Sequence, residues 1–153
     1  MRPNHPLYED DFAEWLRVQA TLLRERRFDE LDAEHLAEEV DGVGNSEFRA
    51  FTSALRLVIH HMMKWDFQPE LRSRSWRTTI HTQRRAAAKL LAQNPSYGSR
   101  LVEAVGDAYD AVPGELEKET MIPVERLPAT CPYSWDEITT RLHDFDSDRP
   151  WPN

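Results

Sequence analysis

The sequence predicts an all-α protein, a compact bundle of four to six helices with no sheet. Apolar residues recur at three- and four-residue spacing through most of the chain, no run alternates with period two for more than a few residues, and the links between periodic segments are short. The chain has 153 residues, 40% of them hydrophobic and 30% charged. A chain of that length buries about two-thirds of its unfolded surface, which suits one core. Residues 1–144 therefore read as a single helical domain and the acidic, proline-bearing 145–153 as a frayed tail.

Tyr8, Phe12, Trp15, Leu16, Leu22 and Leu23 share one face of a first helix over about 9–27. Glu9, Asp10, Asp11 and Glu14 crowd its start and Arg24, Arg26 and Arg27 its end, placements the helix dipole favours by about 0.3 to 1 kcal/mol each. Asp32 caps a short helix from Ala33 to about Asp41, with Leu36, Ala37 and Val40 inward. Gly42 and Gly44 follow; each costs about 1 kcal/mol in a helix interior, and Asn45-Ser46 offers a fresh cap, so a kink or break is expected there.

Phe48, Phe51, Leu55, Val58, Ile59, Met62 and Trp65 mark the face of a core helix that runs to about Asp66 and stops before Pro69. The next helix, about 73–93, would bury Trp76, Ile80, Ala87 and Leu91, with Ser75 as a cap. Leu101, Val102, Val105, Ala108, Tyr109 and Val112 form a fourth stripe, interrupted at Pro113-Gly114 and extended by a turn or two over 115–120. Pro123, Pro128 and Pro132 mark an irregular connection. Ser134 with Glu137 is a capping-box pair opening a last helix to about His143.

Composition excludes several classes. Six Phe, five Trp and four Tyr are too many for a disordered chain, and no stretch of about 18 apolar residues exists to span a bilayer. Residues 1–6 lack the apolar run of a secretory signal, and the single Cys131 has no disulfide partner in the chain, so a reducing cytoplasm is expected. The five glycines form no phosphate-cradling loop, and nothing calls for a cofactor.

Charge is unevenly placed. Residues 1–50 carry 6 basic and 13 acidic side chains, residues 51–100 carry 9 and 2, and residues 101–153 carry 4 and 12, so a basic centre lies between acidic flanks.

The stretch from His61, Lys64 and Trp65 through Gln68, Pro69, Arg72, Ser73, Arg74, Ser75 and Trp76 to Thr79, Ile80, Gln83 and Arg84 resembles the signature of an uncharacterised bacterial family, domain of unknown function 29. Leu7-Tyr8 to Trp15, Asp32 to Asp41 and Thr130-Cys131-Pro132 resemble it too, so the likeness covers about residues 7–142. It implies an all-helical fold in bacterial cytoplasm and no particular activity. Pro113-Gly114 departs from the family pattern, in which the helix continues.

Several constellations could carry chemistry. Arg49, Arg56, His60 and Lys64 lie on the outer side of the core helix, and Arg74, Arg77, His81, Arg84 and Arg85 on that of the next. Merged, these sides could hold phosphates through Lys64, Arg72, Arg74, Arg77, Arg84 and Arg85, because a guanidinium presents a planar donor fork. The leading expectation is instead compensation by the acidic helices or a partner subunit, since the pI is about 5.2 where nucleic-acid modules are usually basic. Trp65 and Trp76, flanking the turn at Gln68, could stack on a base, but core aromatics at helix ends are commoner.

His35 and Glu38, at i and i+3, could touch a cation with His61 from another helix, although the repeated Glu-x-x-His of a di-iron bundle is missing. Cys131, Ser73 and Ser75 lack any base placed by spacing, so Cys131 reads as a small buried apolar residue. The expected function is a non-catalytic interaction module whose partner is another protein or a second copy in a homodimer. Binding of nucleic acid or a phosphate ligand is the alternative, and a metal-assisted hydrolase the third.

Overall fold

The computed structural model describes residues 5–146, and their side chains from residue 7. Every regular element among the described residues is helical, as the apolar periodicity predicts. No helix there is long and apolar enough to cross a membrane. The chain forms two compact units, one ending at Ser46 and the other beginning at Glu47.

In the first unit, the single helix expected over about 9–27 is two helices, α1 (His5–Asp10) and α2 (Phe12–Arg24). They part at Asp11, whose side chain accepts the Glu14 N–H at 3.0 Å. One member of the acidic cluster thus acts as an N-cap, which ends the first helix while starting the second. α2 stops where Arg26 turns left-handed, φ 58°, and the Arg27 N–H reaches back to the Leu22 carbonyl at 2.9 Å. That is a Schellman closure made with arginine where glycine is usual.

Only Trp15, Gln19 and Leu22 of α2 are buried. Phe12, Leu16 and Leu23, expected to face inward with them, are exposed, and Val40 is 69% exposed.

The break expected at Gly42 and Gly44 is absent: α3 runs unbroken over Ala33–Phe67. Two helical glycines cost about 2 kcal/mol together. Ending and restarting the helix would orphan four N–H and four C=O groups and need a second nucleation. Continuity is therefore the cheaper solution.

The second unit takes α3 from Glu47 onward, then α4 (Arg74–Gln93), α5 (Leu101–Asp110), α6 (Val112–Thr120) and α7 (Trp135–Thr140); 3-10 turns lie in the links except between α5 and α6, which meet at Ala111. Phe51, Leu55, Val58, Ile59, Met62 and Met63 of α3 are its fully buried spine. Ala104, Ala108, Val112, Leu116 and Ile138 from α5, α6 and α7 close over it. α4 buries only Ile80 and Ala87; Trp76 and Leu91 are half-buried, so most of its circumference stays outside the core.

Three local details differ from expectation. Ser73 rather than Ser75 caps α4, accepting the Trp76 N–H at 3.2 Å. Val102 is 90% exposed. α7 ends at Thr140, short of His143. The interruption at Pro113 is real but brief, because α6 restarts with that proline in its first turn, where a missing N–H costs nothing. The capping box of Ser134 and Glu137 is present in full. Of the expected frayed tail, Phe145 lies with its ring centroid 5.1 Å from that of Trp65, and residues 147–153 lie outside the described residues.

A Cβ added at Gly42 meets nothing within 4 Å. Gly42→Ala should therefore stabilise α3 by about 0.5 to 1 kcal/mol, read as a rise in the midpoint of thermal unfolding followed by helical circular dichroism.

Candidate functional site

The site belongs to the second unit and begins with Asp66, one of only two acids between residues 51 and 100. Asp66 is buried in the last turn of α3. The Tyr133 hydroxyl donates to its Oδ2 at 2.7 Å. Arg141 grips both oxygens, Nη1 to Oδ2 at 2.8 Å and Nη2 to Oδ1 at 2.6 Å. A buried carboxylate is tolerable only when its lone pairs are met in this way. Burial, and then the neighbouring Asp66 charge, push the Tyr133 hydroxyl well above its usual range, so it stays a donor.

Arg84 approaches from α4. Its Nε donates to the Ile138 carbonyl at 2.6 Å, Nη2 to Glu137 at 3.0 Å and Nη1 to Arg141 at 2.8 Å. These are carbonyls at and just past the C-terminal end of α7, where the negative end of the helix dipole lies; that of Glu137 also accepts the Arg141 N–H at 3.1 Å. Arg72 does the same for α3: Nε donates to the Trp65 carbonyl at 2.9 Å while the guanidinium lies over the Trp65 ring at 5.2 Å. Two of the arginines expected to face a phosphate are thus occupied in closing helix ends. Burial and the nearby Arg141 charge lower the Arg84 pKa.

The other basic candidates divide. Lys64 pairs with Glu119 of α6 at 2.9 Å and lies 4.6 Å over the Trp76 ring. Arg56 pairs with Glu115, and His60 Nε2 is 3.2 Å from Glu119. His60 Nδ1 comes within 3.4 Å of Glu115 but makes no aligned hydrogen bond, so this second contact is only electrostatic. On α3, then, acids of α6 compensate Arg56 and Lys64, while Arg49 is exposed. On α4, Arg74, Arg77 and Arg85 are exposed and meet no carboxylate among the described residues. Arg77 instead lies over the Phe145 ring at 5.1 Å. Arg77, His81, Arg84, Arg141 and His143 line a hollow of about 410 Å³.

The aromatic pair does not form a platform. Trp65 is fully buried, its ring edge-on to His143 at 5.5 Å, and its Nε1 has no hydrogen-bond partner among the described residues. Trp76 and Gln68 are half-buried.

The metal candidates have other occupations. His35 Nδ1 is 2.7 Å from the buried Asp32, which raises the His35 pKa. Asp32 Oδ2 also accepts the Trp15 Nε1–H at 3.0 Å. Glu38 is exposed. His61 donates Nδ1–H to the Leu57 carbonyl at 2.8 Å, and burial lowers its pKa. No three His, Cys, Asp or Glu side chains gather as a metal site among the described residues. Cys131 is half-buried, and burial pushes its thiol up, which keeps it protonated and a weak nucleophile.

Tyr133, Arg141 and His143 were not singled out as site residues from sequence. His143 is only 5% exposed; burial, then Arg141 and Arg84, push its imidazole down to about 4.

Two outcomes follow for stability. Asp66→Asn leaves Arg141 without its counter-charge in a buried setting and should cost about 3 to 5 kcal/mol, measured by denaturant unfolding at neutral pH. His143 is neutral in the folded and unfolded chain above its ordinary value of about 6.5, so stability is full there. Below that value the unfolded chain binds the proton first, and up to about 3 kcal/mol is lost as the pH falls toward 4. In His143→Gln that share of the acid slope should vanish in unfolding titrations at matched pH.

No curated protein and no solved structure matches the chain. A sequence model of the family described as Domain of unknown function DUF29 matches residues 7–143. The chain belongs to the DUF29 family.

Proposed function

We propose that this protein is a non-catalytic recognition module that docks an acidic protein surface on the outer face of α4. One observation carries this. Arg74, Arg77, His81, Arg85 and Lys89 are all exposed, and at 100° per residue they fall within about a third of the helix circumference. They span about 22 Å at 1.5 Å per residue. α4 contains no Asp or Glu, so the row has no internal counter-charge on its own helix.

A protein partner suits the rest of the chain better than a nucleic acid does. Net charge is -8, and acidic flanks repel a polyanion of high charge density over about a Debye length, roughly 8 Å at physiological salt. An acidic protein patch can be confined to the cationic row and avoid those flanks.

Poly-L-glutamate and a single-stranded RNA of matched length serve as probes at two salt concentrations. The expected result is salt-dependent binding of poly-L-glutamate, weakened about tenfold or more when Arg74, Arg77 and Arg85 are all changed to Gln, with little RNA binding. RNA binding that exceeds poly-L-glutamate binding, or no binding of either at low salt, overturns the proposal.

A further inference from the structure

The hollow beside α4 has a charge imbalance that the docking row does not explain. Its walls carry three guanidinium groups, Arg77, Arg84 and Arg141, beside the imidazoles of His81 and His143, against one acid, Asp144. Arg141 is matched by Asp66. Arg84 is half-buried and donates only to neutral carbonyls; it forms no ion pair among the described residues. His143, nine-tenths buried, has an Nε2 with no hydrogen-bond partner among the described residues. A guanidinium held partly out of water without a counter-anion at a concave wall is an arrangement that an oxyanion completes.

We propose that this hollow binds a small organic oxyanion, a carboxylate or a phosphate monoester, held by Arg77 and His81 at its outer side and by Arg84 and His143 within. The volume of about 410 Å³ lies in the range of small-molecule sites and exceeds the need of a bare phosphate. A second cavity of about 210 Å³, lined by Leu55, Val58, Ala87, Leu91 and Trp135, also has Arg84 in its wall.

The titration of His143 supports the assignment. Burial first, then the charges of Arg141 from its own segment and Arg84 from α4, hold its proton off, against Asp66 from α3; Asp144 also lines the hollow. An anion bound here opposes the arginines, so His143 regains basicity and becomes a second charged donor. Binding is then coupled to proton uptake.

This site shares only Arg77 and His81 with the docking face, and the two can fail separately. The full-length chain is titrated with phenylphosphate, benzoate and inorganic phosphate at constant ionic strength, following the His143 ring proton by NMR. Saturable binding of phenylphosphate or benzoate with a rise of about one unit or more in the His143 pKa is expected, and their relative affinity distinguishes a phosphate head from a carboxylate head. Arg77→Ala with His81→Ala should weaken binding about tenfold, whereas Arg74→Gln with Lys89→Gln, outside the hollow, should leave it within about twofold while weakening poly-L-glutamate. An unmoved His143 pKa with all three probes at about 10 mM, where a site of useful affinity is filled, overturns the proposal whatever the poly-L-glutamate result.

Discussion

The bidentate grip of Arg141 on the buried Asp66 carboxylate is the constraint on which the second unit's candidate site depends. It ties the chain after α7 to the last turn of α3, 75 residues earlier, and so fixes where Leu142, His143 and Asp144 stand. An isolated buried ion pair is weak support for stability because desolvation offsets much of the Coulomb gain. Its value here is positional, since Tyr133 fills a further acceptor site on the carboxylate and leaves it one way to sit. α7 has only six residues, too few to be stable alone. A capping box holds one end, Arg84 closes the other, and Ile138 anchors its buried side.

Depth and place along the helix sort the arginines into three occupations. Arg56, with Lys64, lies where α6 presents Glu115 and Glu119, and becomes part of an ion-pair row. Arg72 and Arg84 lie beside helix C-termini and donate to carbonyls. Arg74, Arg77 and Arg85 lie where α4 faces outward and meet no carboxylate among the described residues. The balance of charge expected within the protein thus holds on the α3 side and stops at α4. Composition alone cannot separate the three groups, because all carry the same formal charge.

Periodicity disclosed the helical fold and the α3 spine, since a buried stripe of Phe51, Leu55, Val58, Ile59 and Met62 leaves a 3.6-residue signal whatever packs against it. It misjudged Phe12, Leu16 and Leu23, because an apolar residue at the right spacing is not thereby covered. It misjudged Gly42 and Gly44, because propensity measures a local cost and ignores the orphaned backbone groups of a break. The basic face of α4 was legible from its spacing. The inner wall of the hollow was not, since Arg84 meets Ile138 and Arg141 meets Asp66 across 54 and 75 positions, and no local pattern announces such pairs. Asp66 did leave one trace: it is one of two acids in a basic stretch, and stands near the end of an apolar face.

α4 also departs from local rules in a way that solubility alone does not require. Its first turn has no acid and carries Arg74 and Arg77, near the positive end of the helix dipole, at about 0.3 to 1 kcal/mol each. Its outer face places Arg85 and Lys89 at i and i+4, where like charges repel by a few tenths of a kcal/mol. Elsewhere the chain uses the opposite device, pairing Glu14 with Arg17 and Arg100 with Glu103 three residues apart. One carboxylate placed along α4 would relieve the repulsion and keep the helix soluble. Breaks in local consistency of this kind, without compensation among the described residues, are expected where a surface is kept for something outside it. Row and hollow share this same helix, so the unrelieved charge of α4 is the common physical root of both.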